Sequence, residues 1–212
     1  MQNIKLIIFD LDGTLVNAYP AITRSFNYTM RKVHAPLQKS VVIRRAVGWG
    51  DRNLLRPFVK KDELERSLVI YRQHHKLALL RLARLIPGVA RLLPVLKKKG
   101  YILAVASNRP TRFTRIIIRH LKIKPYFDYV LCADKLRRGK PHPDILRTIM
   151  KRLSAAPVQT MYVGDMIIDM QAGKRAGVRT AAVIGGSCTK EELEKENPDL
   201  IVRRAVDLLK YL

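Results

Sequence analysis

Short apolar runs alternate along the chain with segments in which apolar residues recur every three or four positions. Such runs, rich in β-branched and aromatic residues, are typical of strands buried on both faces of a parallel sheet. We predict strands at residues 6–9, 101–106, 129–132, 160–163 and 180–184, with an edge strand at 200–202. Because helical segments separate these strands, the pattern predicts an α/β fold whose parallel sheet carries helices on both faces.

Residues 17–86 carry helical patterns and no strand signal. Within this stretch, helical segments are predicted at 20–33, 35–47, 53–59 and 62–85. We therefore predict an α/β core formed by residues 1–16 and 87–212, with an inserted all-helical domain at 17–86. The predicted helices of the core lie at 89–99, 110–121, 144–153, 168–176, 191–196 and 205–212.

The first predicted strand runs into two aspartates, Asp10 and Asp12, followed by Gly13 and Thr14. A buried, unpaired carboxylate is costly, so the strand must end here, at the edge of the sheet where open α/β folds keep their active sites. Glycine allows the sharp turn that follows. A turn with two solvated aspartates would explain this motif equally well if it stood alone.

Polar residues also follow other predicted strands. Ser107 and Asn108 end the second strand of the core, Asp165 ends the fourth, and Lys140 precedes a helix. The carboxyl ends of parallel strands meet at one edge, so we expect these groups in one pocket. There the Ser107 hydroxyl and the Asn108 backbone N–H would hold a phosphate, and Lys140 would offset its charge. Separately, each residue has an ordinary explanation, as a helix cap, an acidic helix start or a surface lysine.

The aspartates predict a metal site and a nucleophile. Hard oxygen ligands of this kind suit Mg²⁺, and a carboxylate can attack a phosphoryl group. We predict Asp10 and Asp165 as metal ligands, with the backbone carbonyl of Asp12 between them. Asp10 would also be the nucleophile, and Asp12 would give and take the proton. Asp169, one helical turn past Asp165, would orient a water on the metal or the Lys140 side chain.

This ordered set resembles the haloacid dehalogenase-like (HAD) hydrolase superfamily. DLDGT at 10–14 is similar to its first motif, Ser107 to its second, Lys140 within GKPHP to its third, and GDMIID at 164–169 to its fourth. The resemblance implies a Rossmann-like core, a Mg²⁺ ion and an aspartyl-phosphate on Asp10. An acid/base at Asp12 implies a phosphatase or a phosphomutase, because the dehalogenase branch lacks it.

The insert resembles the small helical cap of the phosphoglycolate phosphatase and β-phosphoglucomutase branch. Its stretch 44–59, RRAVGWGDRNLLRPFV, is most similar to the cap loop of bacterial phosphoglycolate phosphatases. This implies substrate contacts from the loop, for which Arg45, Trp49 and Arg52 are the candidates. Packing within the cap is an equal alternative for Trp49. Asn17 and Ala18 depart from the DGTLVDS that many relatives show, which alters the entry into the cap.

The leading substrate implied by the resemblance is phosphoglycolate. Another small phosphate ester, a sugar phosphate, a nucleotide or pyrophosphate remains open, as does a mutase like β-phosphoglucomutase. A catalytically idle nucleic-acid-binding protein on the same fold is the alternative outside the enzymes. His74 and His75 lie on a predicted helix and are expected to face solvent rather than a metal.

The net charge of +24 changes this picture in one respect. The excess lies in residues 31–152, where 31 Lys and Arg face seven Asp and Glu. Such a field attracts anionic substrates and could hold nucleic acid without sequence preference. Because no nucleic-acid-binding motif accompanies the basic residues, we favour a solvated basic face over a dedicated nucleic-acid function.

The remaining composition indicates a cytoplasmic protein. Cys132 and Cys188 are the two cysteines, far apart and in unrelated contexts, which suggests a reducing compartment. We expect no transmembrane helix and no signal peptide, because no apolar run is long enough and a strand begins at once. A monomer or a homodimer is compatible with the sequence.

Overall fold

A computed structural model describes residues 3–212 as a six-stranded parallel sheet, an additional two-stranded ribbon and nine α-helices. The strands are β1 (Leu6–Phe9), β2 (Val16–Asn17), β3 (Arg84–Leu85), β4 (Ile102–Ser107), β5 (Tyr129–Cys132), β6 (Thr160–Gly164), β7 (Arg179–Val183) and β8 (Leu200–Val202). The large sheet has the order β5-β4-β1-β6-β7-β8, and each pair in it is parallel. The predicted α/β fold is confirmed.

The helices are α1 (Tyr19–Lys32), α2 (Ser40–Ala46), α3 (Asp51–Leu55), α4 (Leu64–Leu82), α5 (Val89–Lys98), α6 (Thr111–His120), α7 (Asp144–Arg152), α8 (Ile167–Ala176) and α9 (Lys190–Glu194). The helices that follow the insert cover both faces of the sheet, as β1 shows. Its residues Ile7 and Phe9 belong to the apolar cluster that includes α5 and α6. Leu6 and Ile8 belong to the opposite cluster, with α7 and α8. All four side chains are fully buried, which explains the unbroken apolar run.

Helices α1–α4 form the insert, which the ribbon of β2 and β3 joins to the core. Val16 pairs with Leu85 and Asn17 with Arg84, in antiparallel register, so the chain enters and leaves the insert side by side. The prediction that residues 17–86 contain no strand was therefore wrong. Strands of two residues each show no alternation that a sequence pattern could detect. α1 and α4 pack together inside the insert, where the Phe26 and Phe58 rings meet edge to face at 5.1 Å.

Smaller differences occur at the ends of elements. The terminal segment predicted as a helix over 205–212 is a 3₁₀ helix, Ala205–Lys210. α5 contains Pro94 and continues through it to Lys98. Of the helices between residues 3 and 212, none has the length and apolarity that crossing a membrane requires.

Candidate active site

Three neighbouring strands deliver polar groups to one edge of the sheet. β4, β1 and β6 are adjacent, and Ser107, Asp10 and Asp165 lie at or just beyond their carboxyl ends. Asp10 is 6% exposed, Ser107 2% and Asp165 not at all, so the groups meet in a buried site rather than on the surface. A turn with solvated aspartates, the alternative for this motif, does not describe Asp10.

Lys140 lies at the centre of this site. Its ammonium nitrogen Nζ donates to Asp10 Oδ1 at 2.6 Å, to Asp169 Oδ1 at 2.7 Å and to the Tyr162 hydroxyl at 2.9 Å. Burial opposes the charged ammonium, but the attraction of Asp10 and Asp169 outweighs it and raises the pKa of Lys140 above its ordinary value. Lys140 is therefore a buried cation held beside the Asp10 carboxylate.

Asp165 is held by three donors from separate segments. Thr14 Oγ1 donates to its Oδ1 at 3.0 Å, while the Tyr19 hydroxyl and the Ser187 backbone N–H donate to its Oδ2 at 3.2 and 3.0 Å. Gly13 has φ +85° and packs against the same carboxyl group, so a Cβ at this position would clash with it. The turn after β1 thus depends on glycine both for its backbone conformation and for space.

The carboxylates of Asp10, Asp165 and Asp169 offer oxygens that all lie within 4.8 Å of one another. With one ammonium among three carboxylates, the cluster has a formal charge of −2 when ionised. Burial and the charge of Asp169 raise the pKa of Asp165 to about 7, and burial raises that of Asp10 well above its ordinary value. A buried, oxygen-rich cluster with this excess of negative charge fits a divalent cation.

Both carboxylate oxygens of Asp169 already accept hydrogen bonds. Its Oδ1 accepts from Lys140 and from Tyr162, and its Oδ2 accepts from the backbone N–H of Met166 at 3.0 Å. The residue therefore closes the first turn of α8 and fixes the Lys140 ammonium. The sequence led us to expect that Asp169 orients either Lys140 or a water on the metal, and in the structure it contacts Lys140.

Asp12 forms an ion pair that the sequence reasoning missed. Arg109 Nε donates to Asp12 Oδ2 at 2.7 Å, and the same guanidinium lies 2.8 Å from His75 Nε2. Arg109 is 9% exposed and His75 1%, so the expectation that His75 faces solvent was wrong. Burial and the nearby Arg109 charge lower the pKa of His75 well below its ordinary value, which leaves the ring neutral. Asp12 Oδ1 is buried without a hydrogen-bond partner among residues 3–212.

Asn108 connects the insert to the Lys140 loop. Its side-chain amide donates to the carbonyls of Gly48 at 2.9 Å and Lys140 at 3.0 Å, and its Oδ1 accepts from the Lys140 N–H at 2.9 Å. Ser107 Oγ accepts from the Arg109 backbone N–H at 3.2 Å. Both residues line one cavity with Asp10, Asp12 and Lys140.

Comparison with known proteins agrees with this geometry. A family model described as haloacid dehalogenase-like hydrolase matches residues 7–183. The chain belongs to this family. Phosphoglycolate phosphatase 1 of Pseudomonas aeruginosa is 31% identical over 218 residues, which cover 97% of this chain and 78% of that protein. Phosphoglycolate phosphatase of Haemophilus influenzae is 31% identical over 223 residues, 98% of each chain.

The fold of the family is shared over the full length. A crystal structure from Haemophilus somnus 129PT, described as a predicted phosphoglycolate phosphatase, is similar with a TM-score of 0.94 and 29% identity. The alignment covers 100% of this chain and 99% of that one. The HAD family predicted from the motifs is therefore confirmed, and with it the prediction of a phosphatase-type enzyme.

The three residues of the insert predicted to contact substrate lie elsewhere in this HAD protein. Arg45 forms an ion pair with Glu192, and Arg52 forms one with Glu65. Trp49 is 47% exposed and lines an outer groove together with Arg52. In this conformation none of the three lines the cavity that contains Asp10. Their predicted role in substrate binding thus gains no support.

Other residues of the same loop and of the insert helices do line the cavity. Its volume is about 50 Å³. The apolar part of its lining is formed by Ile22, Val47, Leu54, Tyr71, Phe113 and Met166. The space beside the reactive groups is therefore small, and the insert and α6 line part of it.

Proposed function

We propose that the chain is a Mg²⁺-dependent phosphatase that hydrolyses a small, acidic phosphate monoester through an aspartyl-phosphate on Asp10. The observation that carries the proposal is that Asp10 and Asp12 line one cavity with Lys140, which lies far from them in the sequence, and that Asp165 joins Asp10 in one cluster of carboxylates. The full-length similarity to phosphoglycolate phosphatases makes phosphoglycolate the leading substrate. The roles assigned to individual residues of the site belong to the same proposal.

In the first step, a carboxylate oxygen of Asp10 attacks phosphorus while the bond from phosphorus to the ester oxygen breaks. Asp12 gives its proton to the leaving alkoxide. We assign this proton to Asp12 Oδ1, because Oδ2 is occupied by Arg109 and Oδ1 has no partner in the described part of the chain. Asp12 then takes a proton from water, whose oxygen attacks the aspartyl-phosphate, releasing phosphate and restoring Asp10.

Asp10, Asp165 and the backbone carbonyl of Asp12 are the groups we assign to Mg²⁺. When bound, the ion would offset the charge that accumulates on the transferring phosphoryl group. Lys140 adds a second positive charge beside Asp10, which reduces repulsion between that carboxylate and an incoming dianion. The Ser107 hydroxyl and the Asn108 backbone N–H are assigned to the phosphate oxygens.

The insert, residues 17–86, is proposed to act as a cap that selects the organic part of the substrate. Ile22, Val47, Leu54 and Tyr71 of this segment line the cavity, and the small volume supports a substrate of few atoms over a nucleotide. Arg109 is the second buried cation that lines the cavity, after Lys140. A guanidinium can bind a carboxylate through two parallel hydrogen bonds, which supports a substrate with an acidic organic part.

A phosphate-release screen tests the proposal directly. Purified protein should hydrolyse phosphoglycolate in preference to sugar phosphates, nucleotides, pyrophosphate and β-glucose 1-phosphate, and should lose this activity in excess EDTA. Adding Mg²⁺ should restore it. Release from no member of the panel, or equal release with and without Mg²⁺, would contradict the proposal. A mutase would convert the sugar phosphate without net phosphate release, so product analysis separates that alternative.

The role of Arg109 predicts a loss that depends on the substrate. Arg109→Gln should lower kcat/KM for phosphoglycolate about tenfold more than for ethyl phosphate, which lacks the carboxylate, because a hydrogen bond to a charged group contributes about 1.5–3 kcal/mol. The activity of the variant toward both substrates should also fall, since Arg109 pairs with Asp12. Arg109→Lys keeps the charge and should be intermediate. Equal losses for the two substrates would show that Arg109 only positions Asp12.

The nucleic-acid-binding alternative is less well supported. A binding protein has no need of a nucleophile, an acid and a metal cluster around one cavity. The screen distinguishes the two, because an idle protein would release no phosphate from any ester.

A further inference from the structure

A second cavity, of about 890 Å³, lies on the side of the molecule where the β2–β3 ribbon joins the insert to the core. We call it the linker groove and define it by residues of α1, α2, the ribbon, and the loops after β7 and β8. It is far larger than the cavity beside Asp10. Gly13 and Tyr19 also line it, so its floor borders the segments that hold Asp165.

The linker groove is lined by guanidinium groups from both sides. Six arginines belong to it: Arg24, Arg31, Arg44, Arg84, Arg203 and Arg204. No described residue that lines it is an aspartate or glutamate. Among residues 3–212, none of the six forms an ion pair with a carboxylate. Concentrating uncompensated charge in a concave site strengthens its field, and such a site favours anions.

The guanidinium of Arg44 is held in place by the surrounding protein rather than merely solvated. Its guanidinium stacks over the Tyr19 ring at 4.6 Å and donates to the Gly185 carbonyl, which joins α2 to the loop after β7. Its Nε is buried and has no hydrogen-bond partner in the described part of the chain. A buried donor without a partner is costly, and an anion acceptor would remove that cost.

We propose that the linker groove binds a small anion that carries several phosphate groups, and that this anion holds the insert against the core. Arg24, Arg31 and Arg44 lie on the insert, whereas Arg203 and Arg204 lie on the core. The two sets repel each other across the groove until an anion lies between them. Guanidinium groups match phosphate geometry through paired hydrogen bonds. The inference does not depend on the reaction at Asp10.

The dimensions of the groove favour a small ligand over a nucleic acid. Its volume lies within the usual range of about 300–1,000 Å³ for small-molecule sites. Its positive charge lies on a concave surface shared between the insert and the core. Binding to a nucleic-acid backbone instead needs an extended basic strip. A compact polyphosphate fits both features.

Calorimetric titration with inorganic tripolyphosphate, in metal-free buffer at low salt, tests the proposal. The wild-type protein should bind one equivalent and melt at a higher temperature when it is bound. Arg203→Gln combined with Arg204→Gln should weaken binding about tenfold or more, and Arg24→Gln should weaken it from the insert side. Because these side chains are exposed, the variants should fold normally, which the melting temperature of the free protein checks.

The matched control is Lys151→Gln combined with Arg152→Gln, an exposed adjacent pair on α7 that removes the same charge outside the groove. It should change the affinity by less than about twofold, since only screened long-range attraction is lost. Equal weakening in the control, binding of several equivalents, or no binding at millimolar tripolyphosphate would overturn the proposal. The proposal would also be overturned if a short single-stranded oligonucleotide bound to the groove and tripolyphosphate did not, because the groove would then serve nucleic acid.

Discussion

Asp10→Asn is expected to lower kcat with phosphoglycolate by at least about 10⁴-fold while leaving the protein folded. An amide cannot form the mixed anhydride with phosphate that the proposed mechanism requires, so the lost step has no substitute. Asparagine has nearly the same shape as aspartate, and Lys140 keeps its ion pair with Asp169 at 2.7 Å. The melting temperature should therefore change little.

The measurement is steady-state phosphate release at saturating Mg²⁺, with thermal melting in parallel. Asp62→Asn is the matched control, because Asp62 is an exposed residue of the insert and its substitution removes the same charge. It should retain wild-type kcat. An Asp10→Asn protein with near-wild-type turnover would refute the aspartyl-phosphate mechanism. If the Asp10→Asn protein is unfolded, Asp10→Glu replaces it in the test, because the longer side chain displaces the nucleophile.

The residues that sequence reasoning placed in the site are those that follow a buried strand. β1, β4 and β6 are continuous apolar runs, so a carboxylate or hydroxyl directly after each of them had to lie at the edge of the sheet. Asp10, Ser107 and Asp165 could be predicted for this reason. Lys140 does not directly follow a strand, so its place in the site was predicted from the need for a cation beside the phosphate and from the family resemblance.

Residues that reach the site from other segments had no such signal. Tyr19 approaches from α1 and Ser187 from the loop after β7, and neither position is marked by a pattern. Arg109 could have been noticed, because it is a cation two residues after Ser107. Tyr162 could also have been noticed, because a hydroxyl inside a buried strand needs a partner, and Lys140 provides it.

His75 shows how a helical pattern can be misread. The buried positions of α4 include Leu64, Leu68, Tyr71 and Ala78, so a residue at 75 continues the spacing of three and four. Leu77, although apolar, is 56% exposed. Tertiary packing against Phe113 and Arg109, rather than side-chain polarity, decides which face of α4 is inside.

Lys140→Met is the second variant with a large expected effect, because it acts on both activity and stability. Methionine has a similar length but no charge, so Asp10, Asp165 and Asp169 would share a buried site without a cation. Removing one partner of a buried ion pair costs about 3–5 kcal/mol in the free energy of unfolding. Removing one group that stabilises transition-state charge lowers kcat by about 10²–10³-fold.

Denaturant unfolding in metal-free buffer measures the loss of stability, with Lys135→Met as the control. Lys135 is exposed in the same loop, so its replacement should change the free energy of unfolding by less than about 0.5 kcal/mol. The pH dependence identifies the cause. Lys140 lowers the pKa of Asp10, so its loss raises that pKa further above the unfolded value. The folded variant then binds protons more readily than the unfolded chain. Its loss of unfolding free energy relative to the wild type, the stability deficit, should therefore shrink as pH falls from 8 to 5. A deficit that does not change with pH would indicate a packing defect instead of unpaired carboxylates.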